Sequence, residues 1–282
     1  MTTKKAIGGA LIAIVVKFAS DILASLAVGG LFLLGVPEWI CIAVMGVLYL
    51  VTTLILVKLI YNKAFKLSKE EIGMKKSAPK PAYIILAAAL PALVCGILLL
   101  TKGEFVMSAP DTQARLAAIA GITYNVIGAP VVEEVLFRGV IMNLLKKRWN
   151  TVVAVVLPSV LFGAVHIMGL EEPNPADCVQ VVIAGTLVGI MFSLIALRTG
   201  SVWNGALVHA VWNLVMCGGI FAIGAQLSEG SLVTFVMQSK SFLLTGGAFG
   251  AEASVIAIAA YFMVIIALAM SGKAVRTRLQ HS

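Results

Sequence analysis

Residues 82–101 read AYIILAAALPALVCGILLLT. No charged side chain interrupts the run, and apolar residues fill consecutive positions instead of every second one. A helix of that length, at 1.5 Å per residue, is about 30 Å long, the thickness of a bilayer's hydrocarbon core. A strand of a membrane barrel would alternate apolar and polar residues, so this reading excludes a β-barrel. Outward from this stretch the pattern recurs, giving eight apolar stretches at roughly 7–35, 39–61, 82–101, 113–145, 151–170, 178–198, 201–224 and 249–270. The expected fold is all-α, a polytopic transmembrane helical bundle of about eight spans. It is read as a single integral-membrane domain over 1–282, with the motif core at roughly 113–224. Composition agrees. Of 282 residues, 60% are hydrophobic and 12% charged, against about 25% charged in an ordinary soluble domain. Mean hydropathy is +1.03. A soluble enzyme, a disordered chain and a disulfide scaffold are excluded.

The few charges alternate in sign along the connections. The amino terminus carries Lys4 and Lys5, and the second connection carries Lys63, Lys66, Lys69, Lys75, Lys76 and Lys80. The fourth carries Lys146, Lys147 and Arg148, the sixth Arg198, and the tail Lys273, Arg276 and Arg278. The odd connections carry Glu38, then Glu104 and Asp111, then Glu171, Glu172 and Asp177, then Glu229 and Glu252. Lys102, Lys240 and Arg115, at a helix start, are the few basic residues there. The positive-inside rule then puts both termini in the cytoplasm. The net charge of +8 is accounted for by topology, with some attraction to anionic lipid, and calls for no nucleic-acid partner. A multi-pass protein of the cell (plasma) membrane is expected, and a compact chain without a long targeting segment suits a prokaryotic one.

Lys4 and Lys5 before an apolar run, with Ser25-Leu26-Ala27 downstream, invite a signal-peptide reading. Lys17 and Asp21 interrupt that run, however. They are four apart and can pair on one helical face, which favours an uncleaved span. The stretch 63–81 reads as an amphipathic surface segment, with Phe65, Leu67, Ile72 and Met74 among lysines, or as a solvated loop. Cys41, Cys95, Cys178 and Cys217 are scattered and form no CxxC; they read as small apolar helix residues.

Ionisable residues inside the hydrocarbon are costly and mark function by default. Span 4 holds Glu133, Glu134 and Arg138, span 5 holds His166, and span 7 holds His209 and Asn213. His281 is in the tail. Glu134 and Arg138, four apart, can pair. Glu133, about 100° away around the helix, is free to face something else. A lone buried carboxylate of that kind suits a general base. His209 and Asn213, also four apart, form a stripe able to donate to developing negative charge. Counted inward from Lys146, Thr151 and Gly200, Glu133 lies roughly 20 Å deep, His166 roughly 22 Å, His209 roughly 13 Å and Asn213 roughly 20 Å. Three helices thus bring polar groups to a similar depth. Interhelical polar glue is the plain alternative, weaker here because so many groups share one level.

There is no GxSxG elbow for a serine nucleophile and no HExxH zinc helix. Asp21, Asp111 and Asp177 are the only aspartates, and the last two are in external connections, which excludes a two-aspartate intramembrane protease. A carboxylate with two histidines remains. It can activate water directly through Glu133 and His166, or bind a metal such as zinc. Both routes lead to hydrolysis of an acyl bond.

Glu133-Glu134-Val-Leu-Phe137-Arg138-Gly139 resembles the EExxxR motif of the CPBP family, the CAAX prenyl proteases and bacteriocin-processing enzymes. Phe162-Gly-Ala-Val-His166 resembles its FxxxH motif, and His209-Ala-Val-Trp-Asn213 its HxxxN motif. The resemblance covers roughly 130–213 and implies an intramembrane endopeptidase. It implies that Glu133 and His166 activate water, that His209 and Asn213 form the oxyanion hole, and that Glu134 and Arg138 organise the site. The family is described both as metal-dependent and as glutamate-type. The metal-free reading is preferred here, because an asparagine paired with a histidine at helical spacing suits an oxyanion hole better than a metal shell. The metal-dependent alternative would use Glu133, His166 and His209 with zinc. The resemblance also suggests a site reached from the cytoplasmic side. A prenylated CAAX tail, a leader peptide or a membrane-protein segment would fit as substrate, so the expected partners are such a substrate and the lipid bilayer. Competing classes are a non-catalytic bacteriocin-immunity or partner-binding protein and a proton-coupled transporter.

Pro130 is placed to kink span 4. Gly139 and Gly163 allow close helix packing. Trp39, Trp149 and Trp203 fall near interfaces. Phe137 and Phe162 read as packing around the site.

Overall fold

The structure, a computed structural model, describes the chain except residues 109, 110, 171, 173, 229, 281 and 282 and the side chains of 64 and 272–280. Glu171, Glu229, His281 and the side chains of Lys273, Arg276 and Arg278 therefore lie outside the described residues.

The chain is a multi-pass helical bundle. Among the described residues six helices are long and apolar enough to cross a membrane: α1 (Thr3–Leu33), α2 (Glu38–Lys63), α3 (Pro81–Leu99), α4 (Thr112–Lys146), α5 (Thr151–Gly169) and α6 (Pro175–Thr199). Two more follow, α7 (Trp203–Met216) and α8 (Val255–Gln280). The stretch expected at 201–224 is thus a shorter helix that ends at Met216, and the one expected at 249–270 begins only at Val255. Residues 217–254 instead turn back repeatedly at Gly219, Gly246, Gly247 and Gly250, all with positive φ. Among them lie two strands, β2 (Phe221–Gly224) and β3 (Val233–Met237). They join β1 (Gly103–Met107) in a three-stranded sheet of order β1-β3-β2, antiparallel at β1–β3 and parallel at β2–β3. Four or five apolar residues carry no periodicity that separates a strand from a helix end.

The basic ends gather on one face. Arg148 Nε donates to Thr3 Oγ1 at 2.8 Å and Arg198 Nη1 to Ser271 Oγ at 2.9 Å. The segment between α2 and α3 docks there too. Val202 N–H donates to Gly73 O at 2.9 Å, Ser201 Oγ to Lys75 O at 2.8 Å, and Lys80 N–H to Asn204 Oδ1 at 2.9 Å. Its Leu67 and Ile72 are buried in the core, so its apolar face covers the protein's own helices. The sheet, whose β1 follows the other end of α3, lies on the opposite face.

Two apolar clusters fill the bundle, one joining α1, α2, α4 and α5, the other joining α3, α6, α7, α8 and the sheet. The site lies between them. Close helix approach brings the walls together. A Cβ on Gly163 would stand 2.7 Å from Val182 O, and one on Gly185 2.5 Å from Gly163 Cα. A Cβ on Gly139 would meet Ile72 O at 2.6 Å, so the docked segment presses its backbone onto α4.

Candidate active site

Helix α4 is not uniform. Two π-helical segments, Thr123–Gly128 and Glu134–Ile141, flank a short α-helical piece, Ala129–Glu133, that contains Pro130. Proline lacks an N–H and crowds the carbonyl four residues back. Widening to a π register absorbs that defect, and such widenings recur at functional sites. The change of register falls between Glu133 and Glu134, where the two carboxylates take different surroundings.

Glu134 turns inward. It is fully buried, and its Oε1 accepts from Arg138 Nη1 at 2.9 Å. The Arg138 guanidinium lies over the Phe162 ring, 4.4 Å from its centroid, with the Phe192 ring 5.4 Å away. A planar, weakly hydrated cation suits this aromatic setting, which lysine would not fill. Glu134 Oε1 also lies 3.3 Å from His209 Nδ1. A carboxylate there is met by an Nδ1–H, which fixes the ring's tautomer. Phe192 stacks on the same ring at 4.7 Å. Glu134 and Arg138 thus stand behind the site and hold His209.

Glu133 faces a cavity of about 470 Å³ that His166, His209 and Asn213 also line. Glu133, His209 and Asn213 are 7%, 6% and 9% exposed, while His166 is half-buried. Glu133 Oε2 lies 3.9 Å from His209 Nε2. His166 closes α5 at the start of its 3-10 turn, and its Nδ1 lies 2.6 Å from Phe162 O. A carbonyl partner needs an Nδ1–H, so Nε2 is left as an acceptor in the neutral ring. Asn213 Nδ2 donates to Asn125 O at 2.8 Å, leaving its second amide hydrogen. The six residues singled out from the sequence are therefore brought together, four on the cavity and two behind it.

Helix α1 adds residues that spacing did not assign to the site. Lys17 Nζ stands 3.5 Å from Glu133 Oε1 and 3.3 Å from Tyr49 Oη. Asp21 Oδ1 accepts from Tyr124 Oη at 3.0 Å. The expected Lys17–Asp21 pair is replaced by contacts to neighbouring helices, and Glu133 is not a lone carboxylate. Glu252, read as a mark of the external side, lines the cavity and accepts from Trp212 Nε1 at 2.8 Å.

Residues 115–215 match the family model described as Rce1-like, type II CAAX prenyl endopeptidase Rce1-like. The motif core is similar to that of the CPBP family. All three motifs of the CPBP core fall within the matched residues. A Bacillus subtilis (strain 168) protein named "Putative membrane peptidase YdiL" is 29% identical over 143 residues, 49% of this chain and 52% of that protein. The chain thus spans about half the length of the curated relative it matches. No solved structure matches it. The similarity to that family model points to a protease.

Glu133, His166 and His209 are the residues that would hold a metal. Glu133, His166 and His209 share a cavity, but among the described residues no group of three or more His, Cys, Asp or Glu side chains converges to hold an ion. His209 Nδ1 and His166 Nδ1 are engaged by Glu134 and Phe162 O, which leaves Nε2 of each ring for chemistry in the cavity.

Proposed function

We propose that this chain is an intramembrane endopeptidase that hydrolyses peptide bonds of membrane-associated substrates without a metal. Glu133 and His166 activate the water. His166 Nε2 is the acceptor that its Nδ1 contact leaves toward the cavity, and Glu133 takes the proton. The tetrahedral oxyanion is met by the free amide hydrogen of Asn213 and by His209. Walls of lipid-embedded helices strengthen these bonds by lowering the local dielectric. Glu134 and Arg138 position His209. The reading places the protein in the plasma membrane with both termini in the cytoplasm, supported by the gathering of basic helix ends on one face. Prenylated CAAX tails, leader peptides and membrane-protein segments are the substrate classes it admits.

The observation that carries the proposal is the convergence of Glu133, His166, His209 and Asn213, from three helices, on one cavity. The test is cleavage by purified protein. Glu133→Gln and His166→Ala should each abolish it while leaving the fold intact, and full cleavage by either variant overturns the assignment. A proteomic comparison of cells carrying wild type and Glu133→Gln identifies the substrate. A proton flux in liposomes that needs Glu133, without proteolysis, would favour the transporter.

A further inference from the structure

The catalytic cavity continues into a second one. A vestibule of about 820 Å³ lies on the sheet face, and Asn125, Cys217, Phe249 and Glu252 line both spaces. Each of these boundary residues touches a site residue or its neighbour. Asn125 O accepts from Asn213, Cys217 N–H donates to Asn213 O, the Phe249 ring meets the His166 ring edge-on at 5.7 Å, and Glu252 holds Trp212.

A cavity of about 170 Å³ near the basic ends shares no lining residue with the catalytic one. Between them stand Glu134 and Arg138, both buried, and the docked segment whose Ile72 O lies against Gly139.

The vestibule also presents a strand edge. β2 is an outer strand, paired among the described residues only with β3. Ala222, Ile223, Gly224, Ala225 and Gln226, consecutive in the chain, all line the vestibule. Side chains of successive strand residues point to opposite faces, so consecutive lining residues mean that the edge itself is turned to the space. Ile220 O accepts from Val233 N. By the alternation of a parallel ladder, Phe221 and Ile223 then direct their N–H and C=O groups away from β3.

We propose that the free edge of β2 docks the substrate as an added strand, so that an extended peptide enters from the sheet face, through the vestibule, to Glu133 and His166. The occupant is an extended peptide segment lying on the face opposite the basic connections. A prenylated tail presented at the basic face does not reach the site by this route. Strand addition suits a protease, because it straightens the chain and takes affinity from the backbone while side chains vary. The inference rests on the endopeptidase reading.

Two measurements test it. In sealed vesicles of each orientation, a membrane-impermeant maleimide is applied to the native chain and the modified cysteine is identified by peptide mass spectrometry. Cys217 should react from the face opposite the termini. Reaction from the face of the termini, or from neither, overturns the route. With fluorescent casein as the probe, Ile223→Pro, which removes one outward N–H, should raise KM about tenfold with kcat little changed, and Ile223→Val should not. A cleaved casein peptide N-methylated beside the scissile bond should show the same rise on wild type, which keeps the test independent of how Ile223→Pro folds. Unchanged KM for the N-methylated peptide overturns strand docking. Absence of any proteolysis by wild type would refute the endopeptidase reading, while the labelling result still reports the route.

Discussion

Lys17 Nζ stands 3.5 Å from Glu133 Oε1, which joins α1, outside the residues matched to the CPBP core, to the first carboxylate of its motif. The cation neutralises a charge that burial would otherwise penalise, and its second contact, to Tyr49, fixes where it stands. Lys17→Met should lower kcat/KM by about ten- to a hundredfold, the scale of a hydrogen bond to a charged group. Lys17→Arg should restore a large part. Wild-type activity in Lys17→Met would show the contact to be incidental.

Arg138 is bound by shape as well as by charge. Removing it leaves Glu134 buried without its cation, which costs roughly 3–5 kcal/mol in comparable sites. Arg138→Ala should therefore unfold at a markedly lower temperature in detergent. Arg138→Lys should keep part of the stability and lose most of the cleavage, because an ammonium cannot fill the place beside Phe162 and Phe192 while positioning Glu134 against His209. Equal stability of Arg138→Ala and wild type would refute the account.

Much of this site is legible in the amino-acid sequence. Glu134 and Arg138, and His209 and Asn213, share helical faces through a spacing of four, and the unbroken apolar runs place their helices. The contacts of Lys17 are not legible there. Spacing offers it only Asp21, whereas its partners Glu133 and Tyr49 lie on α4 and α2, and no periodicity within α1 reports which neighbour a face meets. Glu252 reads as one more external acid because the apolar run beginning near 249 hides the turns that carry it inward. β2 is hidden likewise, inside a run that reads as a continuation of α7.

Helix approach at Gly163 leaves no room for a side chain, since its Cβ would lie 2.7 Å from Val182 O. Gly163→Val should part α5 from α6 and displace His166, with loss of both thermal stability and cleavage. Gly169→Ala is the control, as nothing lies within 4 Å of its added Cβ, and it should behave as wild type. A stable, active Gly163→Val would refute the packing argument.

The docked segment between α2 and α3 is held partly by an ion pair outside the membrane. The hydrogen bond from Lys147 Nζ, with Ser68 N–H and the Lys147 charge, holds the exposed Glu71 carboxyl below the usual carboxylate range. A depressed carboxylate contributes stability above its ordinary value, and that contribution is lost as pH falls through the folded value. Hydrogen exchange of residues 66–76, corrected for intrinsic rates, should therefore quicken as pH drops below the carboxylate range. Glu71→Gln should show the faster exchange already at neutral pH. Identical exchange in the variant and wild type would remove the pair from any role in docking.

The proposed metal independence gives the last prediction. The ring nitrogens Nδ1 of His166 and His209 are turned to Phe162 O and Glu134, and His209 Nε2 lies 3.9 Å from Glu133 Oε2, an arrangement in which the three side chains serve one another. Purified protein dialysed against a strong chelator should retain its cleavage activity, and metal analysis of the active fraction should find no stoichiometric zinc. Added zinc should inhibit, because pulling Glu133, His166 and His209 into tetrahedral coordination at about 2.0–2.2 Å would take the carboxylate from Lys17 and the water from its activating pair. Chelator-sensitive activity restored by one equivalent of zinc would overturn the glutamate mechanism and leave the fold and the cavity as described.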